Sequence, residues 1–277
     1  MICSKNRMLP VICFVLSAVL LLGLIGCSKE ARIERSWKKA ENYFTENKIR
    51  EALIEYRNVL KLEPKHARAH YKSGECYLRL GMGKEAFASL AQAVSLDPDI
   101  MEARNYLGGL YLLSGDAARA REQADAILAK DAASSDGHLL MSNIYLKDRN
   151  LDMAIAEAQK AAQGDKKLEA FLQLANLHLL KRDLSQVEMT LKEAVRVDDK
   201  SQRARLALAE FYLRSGNKEL AEQEYLQAVK NAPEDANAFM KLGNFYVAAG
   251  KMDEAEKQLI KSVDLSPKNA LTRIHLG

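Results

Sequence analysis

"HYKSGECYLRLGMGKEAFASLAQAVSLDP", His70 to Pro98, carries the pattern that decides the fold. Tyr71, Gly74 and Leu78 recur at three- and four-residue spacings, which puts them on one face of a helix. Gly81-Met82-Gly83 interrupts the pattern. Ala86, Leu90 and Ala93 then restart it, and Asp97-Pro98 ends it because proline cannot continue a helix. The stretch therefore reads as two amphipathic helices joined by a tight turn.

The same design returns at "RNYLGGLYLLSGDAARAREQADAILAKDA" from Arg104 and at "FMKLGNFYVAAGKMDEAEKQLIKSVDLSP" from Phe239. A period of about 34 residues is the mark of a repeat architecture, and these units resemble the tetratricopeptide repeat (TPR). With the terminal proline as position 32, seven units start at Ile33, Ala67, Met101, Ser135, Leu168, Gln202 and Ala236. The fourth is one residue short, around "AAQGDKK". The resemblance implies an all-α fold, a TPR α-solenoid with right-handed superhelical stacking, over residues 33–269. One hairpin cannot bury its own apolar face, whereas stacked hairpins bury a shared one.

The register has physical content. Small residues hold position 8 (Ala40, Gly74, Gly108, Ser142, Ala175, Ala209, Gly243), and Ala52, Ala86, Ala120, Ala154, Val187, Ala221 and Ala255 hold position 20, so the two helices of a unit can approach closely. Tyrosine supplies bulk at position 11 except at His178. Gly81, Gly115, Gly216 and Gly250 suit a left-handed helix cap, and Asn47 tolerates it. Arg149 and Arg182 depart from that pattern, as Ala132 and Asp199 depart from the prolines at Pro64, Pro98, Pro233 and Pro267.

In the family it resembles, partners lie in a groove formed by first-helix positions 2, 5, 9 and 12. Position 12 is apolar throughout: Phe44, Leu78, Leu112, Leu146, Leu179, Leu213 and Val247. Position 5 holds Trp37, Tyr71, Leu139, Leu172, Leu206 and Met240, with Asn105 the polar member, and Asn143, Asn176 and Asn244 stand at position 9. These residues suit a hydrophobic peptide or an amphipathic helix; the alternative is that positions 5 and 12 pack between neighbouring first helices. The asparagines either hydrogen-bond a peptide backbone or are solvated. Cochaperone repeats that clamp a terminal carboxylate carry lysine at position 5 of the first unit, where this chain has Trp37.

Lys+Arg 41 against Asp+Glu 37 is nearly balanced, so nothing asks for nucleic acid. No phosphate loop, catalytic triad or paired catalytic carboxylates stand out, and no enzyme, cofactor, metal or small-molecule substrate is expected. His66 and His70 are four apart but lack an adjacent carboxylate, and read as structural. His178 reads as a packed or hydrogen-bonded core residue, and Cys76 as a small buried hydrophobe.

The first 26 residues read as a leader. Lys5 and Arg7 precede the apolar "VICFVLSAVLLLGLI" (Val11–Ile25), which is shorter than the roughly 20 residues a spanning helix needs. "LIGC" (Leu24 to Cys27) resembles the lipobox of bacterial lipoproteins, in which the thiol of Cys27 is alkylated by a diacylglyceryl group after cleavage behind Gly26. The resemblance implies a membrane anchor at Cys27, a short tether over 27–32, and, from Ser28 in place of an aspartate, the periplasmic face of an outer membrane. "NALTRIHLG" (Asn269–Gly277) reads as the start of an incomplete eighth unit, residues 270–277. The whole reads as a lipid-anchored adaptor of the cell envelope binding proteins or peptides in assembly, secretion or exopolysaccharide export, with some resemblance to the TPR lipoproteins of exopolysaccharide and exosortase systems. The alternatives are the regulatory arm of a longer enzyme and a self-associating structural protein.

Overall fold

A computed structural model describes residues 29–267. The leader, Cys27 and residues 270–277 lie outside the described residues. Those described form fourteen helices and no strand: α1 (29–45), α2 (Ile49–Leu62), α3 (Ala67–Arg79), α4 (Gly83–Leu96), α5 (Met101–Leu113), α6 (Ala117–Lys130), α7 (Ser135–Lys147), α8 (Leu151–Gln163), α9 (Leu168–Lys181), α10 (Leu184–Val197), α11 (Gln202–Arg214), α12 (Lys218–Asn231), α13 (Ala236–Ala248) and α14 (Met252–Leu265). They pair as the predicted hairpins. Of the expected tether over 27–32, residues 29–32 belong to α1, because "KEAR" has strong helix formers and neither glycine nor proline to delay the start.

Two compact units result, dividing within α6 between Gln123 and Ala124. In the first, Ala40, Ala52 and Tyr56 of the α1–α2 hairpin pack with Cys76, and Leu90 and Ala93 pack with Ala103 and Leu107 of the following repeat. In the second, Ala154, Ala158 and Ala161 pack against Ala170 and Leu174, and a larger core joins Val187, Leu208, Tyr225 and Phe245. Within each unit, then, cores are shared between consecutive repeats.

The small residues at position 8 are required by contact. A Cβ on Gly74 would lie 2.6 Å from Leu90 Cγ, and one on Gly243 2.7 Å from Leu259 Cγ. The close partner in these two units is therefore the leucine at position 24. In the fourth unit Ser142 Oγ donates to Ala154 O at 2.8 Å, so the hydroxyl is satisfied inside the hairpin.

All seven turns have the same closure, including the two without glycine or asparagine. Arg149 (φ 59°) and Arg182 (φ 62°) adopt the left-handed conformation of Gly81 (φ 73°). Arg149 N bonds Leu146 O at 3.0 Å as Gly81 N bonds Leu78 O at 3.0 Å. Hairpin packing imposes that conformation on the arginines against their intrinsic preference. Similarly, α6 and α10 end where the proline-terminated helices end, although Ala132 and Asp199 stand at position 32.

A side chain at position 4 holds the junction carbonyl with or without proline. His138 Nε2 bonds Ala132 O at 3.0 Å, and Arg205 Nε donates to Asp199 O at 3.1 Å. His70 and Arg104 do the same to Pro64 O and Pro98 O. Three of these four residues also reach nineteen positions along to the second helix of their own unit: Arg104 to Gln123, His138 to Glu157 and Arg205 to Glu224. The junction carbonyl is satisfied and the hairpin cross-braced by one side chain.

Candidate partner-binding groove

Within the second unit, the first helices α7, α9, α11 and α13 present the predicted positions side by side. A cleft of about 460 Å³ is lined by Leu172, Asn176 and Leu179 of α9, Leu206 and Phe211 of α11, and Asn237 and Lys241 of α13. A shallower hollow of about 400 Å³ shares Leu172, Asn176 and Arg203 with it, and adds Asn143 and Leu146 of α7. The structure therefore brings Asn143, Leu146, Leu172, Asn176, Leu179 and Leu206 together along one surface.

The predicted residues are not equally available. Leu146, Leu179 and Val247 are 36%, 38% and 41% exposed, so position 12 is open in these units. Leu112 at 9% and Leu206 at 6% are buried, which corrects their reading as openly presented groove positions; Leu206 still lines the cleft from beneath. Leu139 and Leu172 are half-buried against the cores, as is Leu213, and Met240 is half-buried too. In the first unit Trp37, Phe44, Tyr71 and Leu78 likewise serve partly as core. Trp37 and Tyr71 still face a hollow of about 700 Å³ with Glu41, Asp97 and Glu102 on its walls.

The asparagines differ from one another. Asn143 accepts from Gln173 Nε2 at 3.0 Å, Asn176 is exposed on the cleft, and Asn244 Oδ1 is buried without a partner among the described residues. A polar rung runs between repeats beside the apolar floor. Gln173 also reaches Ser142 Oγ at 2.9 Å, Arg203 pairs with Glu169 at 2.9 Å, and Lys241 pairs with Glu210. Of these, Glu169 and Arg203 at position 2 and Gln173 and Lys241 at position 6 were not named from the sequence. Complementary polar pairs recurring 30 to 34 residues apart were the available signal.

Other candidates resolve as structural. His66 Nδ1 caps α3 by accepting from Ala69 N at 3.1 Å. Cys76 is fully buried, and burial, with Glu75 nearby, pushes its thiol up to about 12. His178 is 5% exposed with Nδ1 unpartnered among the described residues, and burial holds it below its ordinary 6.5. Tyr56 donates to Glu41 Oε1 at 2.6 Å; burial first and that bond second push its phenol up. Among the described residues no group of three or more His, Cys, Asp or Glu is placed to hold a metal ion, and no helix is long and apolar enough to cross a membrane.

Antiparallel hairpins whose first helices line a shared face within each unit define an α-helical repeat protein. Two family models described as "Tetratricopeptide repeat" match, one at residues 38–99 and 212–270, the other at 81–144 and 179–240. The chain belongs to the tetratricopeptide repeat family. Among curated proteins it is similar to DnaJ protein P58IPK homolog B of Oryza sativa subsp. japonica, 31% identical over 83 residues, 28% of this chain and 18% of that protein. The chain thus spans less than a fifth of the length of the curated relatives it matches. Of solved structures, a tetratricopeptide repeat protein from Parabacteroides merdae aligns with TM-score 0.59 and 16% identity over 89% of this chain and 98% of that one. Pseudomonas aeruginosa pilF aligns with TM-score 0.54 and 17% identity, over 75% and 95%. At such identities the likeness shows the fold alone. Tetratricopeptide repeat proteins mediate protein–protein interaction.

Proposed function

We propose that this chain is a non-enzymatic scaffold that holds a protein or peptide partner in the groove of its second unit while Cys27 tethers it to a membrane of the cell envelope. The observation that carries the binding half is the cleft across α9, α11 and α13, with Leu172, Leu206 and Phe211 beneath and Leu179 open at its edge. An apolar floor beside amides and paired charges suits an amphipathic helix or extended apolar segment, whose side chains fill the floor while its polar groups meet Asn176 and Asn237. The anchoring half rests on the sequence: a basic start, a short apolar run and Leu24-Ile25-Gly26-Cys27. Ser28 favours the periplasmic face of an outer membrane, and envelope assembly, secretion or exopolysaccharide export is the setting that such a tethered scaffold serves.

The groove is tested by Leu146→Glu with Leu179→Glu. Both side chains are more than a third exposed, so the double variant should keep its helicity and lose partner capture. Undiminished capture by the folded variant would remove the groove from the mechanism. The anchor is tested by the intact mass of protein extracted from its own membranes, where acyl groups on a chain beginning at Cys27 are expected and an unmodified Cys27 overturns the tether.

A further inference from the structure

The first hairpin separates its charges. On α1, Glu30, Glu34 and Glu41 share one stripe with Trp37, while Arg32, Arg35 and Lys39 fall on the opposite side, three, four and seven residues apart. Trp37 and Glu41 face the hollow of the first unit, so the basic stripe points away from it. The antiparallel course of α2 then brings its C-terminal end beside the N-terminal end of α1. Arg32, Arg35 and Ser36 of α1 and Asn58, Lys61 and Leu62 of α2 together line a surface concavity of about 360 Å³ with no carboxylate among its walls.

These cations are not spent on one another's neighbours. Arg32, Arg35 and Arg57 have no hydrogen-bond or ion-pair partner among the described residues, and Lys61 has only a 3.4 Å contact with Asn58 Oδ1. Glu55 of α2 accepts from Asn58, and neither it nor Glu63 after the helix end is among the lining residues. Along the exposed side of α2, Arg50, Arg57 and Lys61 share a stripe with Ile54, which is 58% exposed. Unpaired guanidinium and ammonium groups around a hollow, with hydroxyl and amide donors between them and an apolar side chain alongside, match a phosphate diester at a lipid–water boundary.

We propose that the Arg32–Arg35–Lys61 concavity seats the phosphate of an anionic phospholipid head group, so that the α1–α2 hairpin lies on the bilayer surface with Ile54 dipping among the head groups. The direction of this contact rests on the tether at Cys27 proposed above. Two peptide units span at most about 7 Å, and Arg32 lies about 4.5 Å along α1 from residue 29. A lipidated Cys27 therefore keeps this concavity within reach of the membrane, and its charge selects the side of α1 that turns to anionic lipid. An acyl anchor joined to a basic surface is a two-signal attachment, and it would orient the repeats as well as retain them.

The test uses the full chain bearing Ile54→p-benzoylphenylalanine, reconstituted with vesicles of phosphatidylcholine alone or mixed with phosphatidylglycerol. Flotation reads the tether, and photo-cross-linking to lipid reads the face. The expected result is flotation with both vesicles and cross-linking on the anionic ones. The cross-link should fall by about tenfold or more in Arg32→Glu/Arg35→Glu/Lys61→Glu, or in high salt, while flotation persists. Flotation with both vesicles but an equal or absent cross-link overturns the head-group site and leaves the tether standing. Flotation and cross-linking only with anionic vesicles overturns the tether and supports the site. Flotation with neither overturns both. The three reversed residues are exposed or line an open hollow, and an unchanged circular dichroism spectrum guards against misfolding.

Discussion

His138 Nδ1 lies 2.7 Å from Glu157 Oε2, and both residues are under a tenth exposed, at 8% and 6%. The pair spans the two helices of the fourth repeat, and the other ring nitrogen holds the Ala132 carbonyl. Burial raises the Glu157 carboxyl, but hydrogen bonds from Lys160 and His138 outweigh it and hold the group below its ordinary 4.5. A buried acid and imidazole therefore carry the junction that proline marks in other repeats.

Removing the acid should leave the imidazole buried with an unmatched nitrogen. Glu157→Ala is expected to cost about 2 kcal/mol, since a buried polar group without its partner loses about 1 to 3. Urea denaturation followed by circular dichroism measures it. His138→Arg with Glu157→Gln copies Arg104 and Gln123 of the third repeat and should recover most of the loss. Because the folded carboxyl is held low, its contribution is present above its ordinary 4.5 and is lost as pH falls through the folded value.

Arg182→Gly should stabilise the chain by about 1 kcal/mol, because glycine adopts a left-handed φ without the Cβ penalty that arginine carries. Arg149→Gly should act in the same direction. The mirror change, Gly216→Ala at φ 81°, should destabilise by a similar amount. Thermal melts of the three variants decide this, and a lower melting temperature for Arg182→Gly would refute it.

His178 has the opposite pH signature from a paired histidine. Its folded pKa lies below the ordinary 6.5, so as pH falls below that value the unfolded chain takes up a proton that the folded chain resists. Stability is full above that range and declines on acidification. His178→Tyr restores the residue that the other repeats carry and should make stability fall less steeply between pH 7 and pH 5. An unchanged slope by denaturant titration at both pH values would assign it elsewhere.

Two helical glycines should respond in opposite ways. Gly109 has nothing within 4 Å of an added Cβ, and Gly109→Ala should gain about 1 kcal/mol from helix propensity. Gly74→Ala places its Cβ 2.6 Å from Leu90 Cγ, in a fully buried contact, and should lose about 1 to 2 kcal/mol after that gain is subtracted. Denaturation midpoints compare them directly.

Much of this architecture was legible along the chain. The 34-residue recurrence, small residues at position 8, Gly81 and its equivalents, and Pro64 and its equivalents prescribe hairpins that must stack, because these are local steric requirements repeated in register. Leu146 and Leu179 were legible as apolar side chains at one fixed position, but not as open ones, because the same position also holds buried Leu112. That Leu112 and Leu206 would be covered was not legible either, since burial depends on how neighbouring repeats close over a residue. The rungs Gln173–Asn143 and Arg203–Glu169, and the brace from His138 to Ala132 and Glu157, link residues whose polarity alone looks like ordinary solvated surface. Only the packed hairpins decide which of those groups meet, and that His138 and Glu157 leave water and must find partners. The same holds for α1: its basic stripe is written in the sequence, but the antiparallel return of α2 is what places Lys61 beside Arg32 and Arg35.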